Sequence, residues 1–512
     1  MENIYDYIII GSGASGSVAA YYLSAKTNAR ILVLEAGCPD TNPNIHDIGG
    51  FVSLWGSEQD WKLETEVQPG LKNRKIVINQ GKVVGGGSSV NALMYVRGNP
   101  KNFDEWSEAG ATGWSYHELL PYFKAIESYE EGESDYHGSK GPLRVRICPE
   151  LAMRSEAFLQ GATELGYDGP YWDYNGERQE NGAGYLQFHI DDQDNRVSSA
   201  TAFLKPALET MRVTLETESE VIKLLINDKT VIGVEYIQNG QIKQAHITKE
   251  VILSAGALQS PKILMLSGIG SADHLHSLGI PVVSDLPGVG QNLQDHLQLP
   301  IVFRTKEDHI KPQLLTGNVL FVNTRIDQPD AAPDLQLNFT PSVPAQLSSV
   351  LNFGVPVCIF LAILVQPKST GSLRLRSKNP HDLAIINPNY LQDRADIETL
   401  IQAVRLAREI AATKAFVDMN IGEIIPGSQD SDEIEDFIRS QVSTLWHPAG
   451  TCKIGQGKDA VVNPQLQVYG VNGLRVADAS VMPTVTSGNT VAASFVIGAK
   501  VADLISENVN VD

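Results

Sequence analysis

Residues 5–35 constrain the fold more than any other stretch. Residues 5–10 are a short apolar, β-branched run, the pattern of a strand buried on both faces. Gly11-Ser12-Gly13-Ala14-Ser15-Gly16 follows at once. Residues 17–25 then read as a helix, with Val18, Tyr21 and Tyr22 on or near one face, and a second strand over 30–34 ends on Glu35. Strand, GxGxxG, helix, strand and acid is the order of a dinucleotide-binding unit. Gly11 permits the tight turn, Gly13 lets backbone approach a pyrophosphate, and Gly16 lets the helix pack close to the strand. The helix N-terminus, around Ala14 and Ser15, offers free N–H groups and a partial positive charge to phosphate. Glu35 lies 24 residues after Gly11, where an acid can accept hydrogen bonds from a ribose diol, with Ala36 beside it. Both FAD and NAD carry an ADP half, so the fingerprint leaves the choice between them open.

The rest of the composition narrows the class. A chain of 512 residues holds two or three ordinary domains or one large two-domain enzyme. With 40 basic and 60 acidic residues the net charge is -20, which disfavours nucleic acid and anionic membranes as partners. The four cysteines, Cys38, Cys148, Cys358 and Cys452, form no CxxC pair. Neither a disulfide framework nor a metal site is expected, and four reduced thiols suit a cytoplasmic protein. The N-terminus has no basic region ahead of an apolar stretch, so no secretory leader is expected. The most apolar later run, 355–365, contains Pro356 and is far shorter than the ~20 residues that span a bilayer.

A second glycine-rich loop, Gly85-Gly86-Gly87-Ser88-Ser89, reads as opening a short helix whose N–H groups could meet a phosphate or a flavin edge. Taken as Gln80-Gly81-Lys82-Val83-Val84-Gly85-Gly86-Gly87-Ser88-Ser89-Val90-Asn91-Ala92 and on through Arg97-Gly98-Asn99, it closely resembles the first signature of the glucose–methanol–choline oxidoreductases. Gly256-Ala257-Leu258-Gln259-Ser260-Pro261 through Gly270 resembles the second. Gly288 through Asp295-His296, Trp446-His447-Pro448-Ala449-Gly450-Thr451-Cys452, Val476 through Ser480 and Gly488-Asn489-Thr490 are similar to further family segments, in the family's order. The Trp-His pair is most similar to bacterial aryl-alcohol and hydroxymethylfurfural oxidases, and choline dehydrogenase-like members are also near.

The resemblance implies a mixed α/β fold: a Rossmann-like FAD-binding domain and a substrate domain with a largely antiparallel, six-stranded sheet flanked by helices. It assigns residues 1–98, 198–296 and 448–512 to the first and 99–197 and 297–447 to the second. Short strands at 213–216, 220–226, 231–238 and 242–248, with turns at Asn227-Asp228-Lys229 and Asn239-Gly240, are compatible with such a sheet. A further buried strand is expected at 250–255. A helix is expected over 396–414, where Ile397, Leu400, Ile401, Val404, Ala407, Arg408 and Ala411 recur at helical spacing.

By the same resemblance, Gly86, Gly87, Asn91 and Ala92 wrap the pyrophosphate and flavin. Val221 meets the adenine through its backbone, Ala255 lies near the ADP half, and Asp478 and Ala479 lie near the ribityl chain, with Thr490 close by. The implied reaction is oxidation of an alcohol, with a hydride passed to the flavin and oxygen or a quinone as the electron acceptor. It needs a base for the hydroxyl proton and a group to hold the oxygen. The residues alone do not choose among eleven histidines. The resemblance points to His447 as base and Asn489 as its partner, and gives His296 only a structural place near FAD. Trp446 supplies an aromatic wall, and Val365, at the end of the apolar run, is placed in the substrate pocket. Some members carry a histidine in the glycine-rich loop that bonds covalently to the flavin; Val90 stands there, so the FAD is expected to be non-covalent. The expected substrate is a primary aromatic or allylic alcohol. Choline-type oxidation and a non-redox hydroxynitrile lyase are the alternatives.

Overall fold

The fold is described from a computed structural model over residues 4–306, 311–348, 350–417, 420–427 and 430–509. Two seven-stranded sheets dominate it. The opening strand, Ile4–Ile10, lies at the centre of the first, parallel to Ile31–Leu34 on one side and to Gln241–Leu253 on the other. Residues Ile8 and Ile9 are fully buried, as an apolar strand covered on both faces requires. The chain leaves this strand at Gly11, with φ +96°, and enters the helix Ala14–Lys26, three residues earlier than its sequence periodicity suggests. A Cβ on Gly16 would lie 2.0 Å from the Gly11 carbonyl oxygen, so the helix packs on the turn as closely as glycine allows.

The strands Val213–Glu216, Ser219–Asn227 and Thr230–Gln238 also belong to this first sheet, together with Leu474–Val476, and not to the antiparallel sheet with which their pattern is compatible. The two strands expected at 242–248 and 250–255 are one continuous strand, Gln241–Leu253. Thr248-Lys249-Glu250 contains no Gly, Pro or Asn to turn the chain. This strand's outer half pairs antiparallel with Thr230–Gln238 and its inner half parallel with Ile4–Ile10. Asn239 and Gly240 form the tight hairpin turn between them, with φ +51° and +71°.

The second sheet is antiparallel throughout. Its strand order is Asn420–Ile425, Leu297–Thr305, Val357–Leu364, Leu335–Thr340, Asn318–Val322 and Gly182–Tyr185, with Ser443–Thr444 pairing the start of Leu297–Thr305. The helix Arg394–Ala411 packs on it, capped by the Asp393 carboxylate, which accepts from the Ala395 N–H. Leu400, Val404 and Ala407 are fully buried. Burial of a Leu or Val contributes roughly 1.5–3 kcal/mol. Arg408, at the same helical spacing, instead turns to the sheet edge and pairs with Glu423 at 2.7 Å. No helix among the described residues is long and apolar enough to cross a membrane.

Candidate active site

One long cavity runs between the sheets and collects most of the candidate residues. Its first end is the glycine fingerprint: Gly11, Gly13, Ala14, Ser15, Glu35 and Ala36 line it, facing Gly86 and Gly87 of the second glycine loop. Gly16 is not on the wall; its place is under the helix. The helix Ala14–Lys26 has no side-chain cap, so its first N–H groups are left for a ligand. A Cβ on Gly13 would meet nothing closer than 3.9 Å, and one on Gly87 nothing within 4 Å, so both main chains open onto free space. Bare backbone on both sides, an uncapped helix and, among the described residues, Lys262 as the one basic side chain on the wall besides His447 fit a pyrophosphate held by N–H groups. Glu35 is partly committed already: its carboxylate accepts from the Ser12 N–H and hydroxyl and from the Gly37 N–H.

The next stretch of wall carries Val221 and Ala255, then Asp478 and Ala479. The Asp478 carboxylate accepts from the Gly256 and Ser480 N–H groups and the Ser260 hydroxyl, tying the second family segment to the fifth. Val90, Asn91, Ala92 and Thr490 line the far part. Arg196 holds the Asn91 loop from behind, donating to the Ser88 and Asn91 carbonyls and to Asn91 Oδ1.

At the far end stand Trp446, His447 and Asn489. His447 Nε2 is 3.4 Å from Asn489 Nδ2. Burial pushes the His447 pKa down to about 3, which keeps the ring neutral and able to accept a proton. The Trp446 indole lies 4.6 Å from that of Trp55, centroid to centroid, and its N–H has no protein partner. Val365 is not on the wall. It is fully buried beside Ile363 and Leu445, and the whole run 357–365 is core strand and its exit. The substrate-pocket assignment of Val365 is therefore corrected. Cys452 is buried and its thiol pKa is raised by burial, the state of an inert packing group.

Strand register explains how His447 reaches the cavity. Leu297 pairs with Thr444, and the Leu445 N–H still bonds to the His296 carbonyl. The ladder resumes at Gln294 opposite Ala449. Five steps on one strand thus face three on the other, and the excess is taken up around Trp446, which sits at φ +61°, and His447. Asp295 pins this excursion. Its carboxylate accepts from the His447 N–H at 2.8 Å and from the hydroxyls of Thr444 and Tyr390. Burial raises the Asp295 pKa to about 6, against the pull of these donors. His296, which the sequence marks only as structural, stands with Nδ1 3.0 Å from His447 Nδ1. No local pattern in Gln294-Asp295-His296 announces this, because the contact spans 151 residues.

Comparison with known proteins agrees with this architecture. The sequence pattern described as GMC oxidoreductase matches residues 5–298 and 367–498. The chain belongs to the GMC oxidoreductase family. It is 39% identical over 546 residues to the mitochondrial choline dehydrogenase of Homo sapiens, covering 98% of this chain and 89% of the relative. It is 36% identical over 540 residues to an alcohol dehydrogenase [acceptor] of Pseudomonas putida, covering 99% and 96%. The crystal structure of pyridoxine 4-oxidase from Mesorbium loti superposes with a TM-score of 0.89 at 31% identity, over 97% of this chain and 98% of that one. The protein is thus a flavin oxidoreductase acting on CH–OH donors, and FAD is the cofactor typical of its family.

Proposed function

We propose that this enzyme oxidises a primary aromatic or allylic alcohol to the aldehyde, with His447 as the base and Asn489 holding the substrate oxygen. The observation that carries the reading is the His447–Asn489 pair at the end of a cavity whose other end is built for a dinucleotide. FAD, when bound, supplies the hydride acceptor. His447 Nε2 takes the hydroxyl proton, and burial keeps this nitrogen unprotonated beforehand. The Asn489 amide nitrogen stands 3.4 Å from Nε2 and orients the substrate oxygen beside it. The same residues give no step to a nicotinamide, since one fingerprint is present and it faces this cavity.

The substrate class follows from the wall. Next to His447 the wall carries Leu445 and Trp446, with Trp55 against Trp446 and the Gln80 amide donating to the Trp446 carbonyl; Leu93, Met94 and Leu315 are further apolar residues of the same cavity. Among the described residues the carboxylates on the wall are Glu35 at the nucleotide end, Glu220 beside Val221, and Asp478 on the middle stretch, whose oxygens accept from Gly256, Ser260 and Ser480. Asp295 is buried behind His447 with its oxygens taken. A quaternary ammonium such as choline calls for a carboxylate or an aromatic cage; the Trp55–Trp446 pair offers aromatic faces without a carboxylate beside them, and such a wall suits a flat, uncharged alcohol. Hydride loss next to a ring is also eased by delocalisation, and the similar pyridoxine 4-oxidase is named for a substrate that carries hydroxymethyl groups on a pyridine ring. The 39% identity to a choline dehydrogenase supports choline as the second reading.

Anaerobic mixing with benzyl alcohol, cinnamyl alcohol, choline and glucose tests the proposal. The aryl and allylic alcohols should bleach the flavin with the highest kcat/KM. Higher values for choline or glucose would refute the substrate class, and a flavin that stays oxidised with every alcohol would favour a lyase. Repeating the reaction in air separates oxygen from a quinone as acceptor. The FAD is proposed to be non-covalent, since Val90 offers an aliphatic side chain to the cavity. Acid precipitation should leave the yellow colour in the supernatant; colour in the pellet would show a covalent bond.

A further inference from the structure

We propose that Arg196 is a positioning residue that acts through the Asn91–Ala92 peptide: it turns the Ala92 N–H toward the cavity, strengthens it as a donor to the electron-accepting ring of the cofactor, and so raises the reduction potential of bound FAD. This inference rests on the reading that the hydride is taken up by FAD at the His447 end of the cavity.

Arg196 is buried, and its guanidinium bonds only to uncharged oxygens. Nε donates to the Ile45 carbonyl at 2.7 Å, Nη1 to the Ser88 carbonyl at 3.1 Å and to Asn91 Oδ1 at 2.6 Å, and Nη2 to the Asn91 carbonyl at 2.7 Å. Among the described residues none forms an ion pair with it. Burial lowers its pKa to about 9, so at neutral pH it keeps its charge. A buried charge without a counter-charge is costly, and the fold keeps this one directly behind residues 88–92.

The loop is fixed by a chain of bonds with one solution. Arginine has only donors, so the Asn91 side-chain atom beside Nη1 is the oxygen. The Leu93 N–H donates to the same Oδ1 at 3.1 Å, where Leu93 adopts φ +67°. Asn91 Nδ2 then faces His189 Nε2 at 3.2 Å, so that nitrogen accepts. His189 Nδ1 carries the proton and donates to the Val197 carbonyl at 2.7 Å, which can only accept. The Asn91 amide is thus committed on both sides.

The Asn91–Ala92 peptide is trans, so its N–H points away from its C=O. The carbonyl points back at Arg196, which is off the cavity wall; Ala92 is on the wall. Among the described residues no protein oxygen takes the Ala92 N–H. Arg196 also bonds the carbonyl of the Ser88–Ser89 peptide, but that N–H is taken by the Gly86 carbonyl at 3.1 Å. Ala92 therefore offers the donor of this loop that Arg196 polarises and the protein leaves free. A charge-assisted bond to a carbonyl strengthens the N–H at the other end of the same peptide. In the proposed reaction a hydride leaves the alcohol carbon and the hydroxyl proton goes to His447, so one negative charge is added on the cofactor side. A positive charge held in a low-dielectric interior favours that state.

The test is the two-electron reduction potential of the bound FAD, measured against a reference dye with a chemical reductant, so that neither the alcohol nor His447 takes part. Arg196→Gln removes the charge and keeps an amide donor. Reduction should become about tenfold less favourable or more, about 30 mV for a two-electron couple. Arg196→Lys keeps the charge and should stay within about threefold of the unaltered protein. No shift in the Gln variant would overturn the proposal. Equal shifts in the two variants, or loss of FAD from both, would mean that Arg196 only braces the loop. A second measurement needs no variant. Asn-Ala occurs twice in the chain, at 28–29 and 91–92. Holoenzyme labelled with ¹³C at the asparagine main-chain carbonyls and ¹⁵N at alanine therefore gives two selected amide signals. Reduction should move the Ala92 N–H downfield and leave Ala29 in place. An unmoved Ala92 signal overturns the proposal even if the Gln variant does not fold. A shifted potential in an enzyme inert to every alcohol would refute the proposed substrate while the role of Arg196 stands.

Discussion

Replacing His447 by alanine is expected to slow anaerobic flavin reduction by about 10²–10⁴-fold while FAD remains bound. The loss should be large because the site holds no substitute. Asn489 cannot accept a proton at neutral pH, and His296 is buried behind His447 and off the wall. FAD should stay because the nucleotide end of the cavity is made of main chain from other segments. Stopped-flow absorbance with saturating alcohol, alongside the flavin-to-protein ratio, separates the two effects. Reduction at near the unaltered rate would show that another group takes the proton. Asn489→Ala should act more weakly and mainly through the position of the substrate oxygen.

The largest effect on stability should come from a site with no chemistry. Arg97, in the tail of the first signature, is fully buried and pairs with the equally buried Glu127 at 2.6 Å. The same Glu127 oxygen accepts from His137 Nδ1 and the Gly138 N–H. Arg97 also donates to the Tyr136 carbonyl, which ties the signature loop to the segment that follows. Glu127→Ala leaves a buried guanidinium without its counter-charge, and breaking such a pair costs ~3–5 kcal/mol, a large share of the ~5–15 kcal/mol typical of native stability. Urea unfolding of the holoprotein measures it. A loss below ~1 kcal/mol would put the pair among those that contribute little. Arg97→Met combined with Glu127→Leu should recover much of the loss, since it leaves no lone charge.

The same cluster makes a pH prediction. Burial disfavours charge on His137, but its bonds to Asp173 and Glu127 outweigh that and raise its pKa. Its contribution is complete below the ordinary imidazole value, ~6.5, and is lost as pH rises through the raised folded value. Glu127 is also opposed by burial, yet Arg97 and His137 hold its pKa below the ordinary carboxylate range, so its contribution disappears on acidification. Unfolding free energy should therefore fall on both sides of a maximum, and Glu127→Gln should flatten both slopes.

What was legible in the sequence was what local physics dictates. A β-branched run, a glycine that must adopt φ +96°, and an uncapped helix start are written within a dozen residues, so the strand Ile4–Ile10 and the helix Ala14–Lys26 are readable directly. The periodicity of the helix Arg394–Ala411 and the Asn239-Gly240 turn are readable for the same reason. The long motifs, as a set, point to the family and its two-sheet architecture.

Tertiary structure decided the rest, because it depends on register between strands far apart in the chain. A strand's pattern does not say which sheet will take it. Residues 213–238 joined the first sheet because their ladder continues Gln241–Leu253, whose inner half already pairs with Ile4–Ile10. Val365 follows an apolar strand that could have faced a cavity or a core, and its packing against Ile363 and Leu445 chose the core. Asp295 and His296 look like two polar residues before a strand. They stand against His447 because Leu297 pairs with Thr444 and the ladder beyond is out of step, an offset that pushes one histidine into the cavity and seals the other behind it.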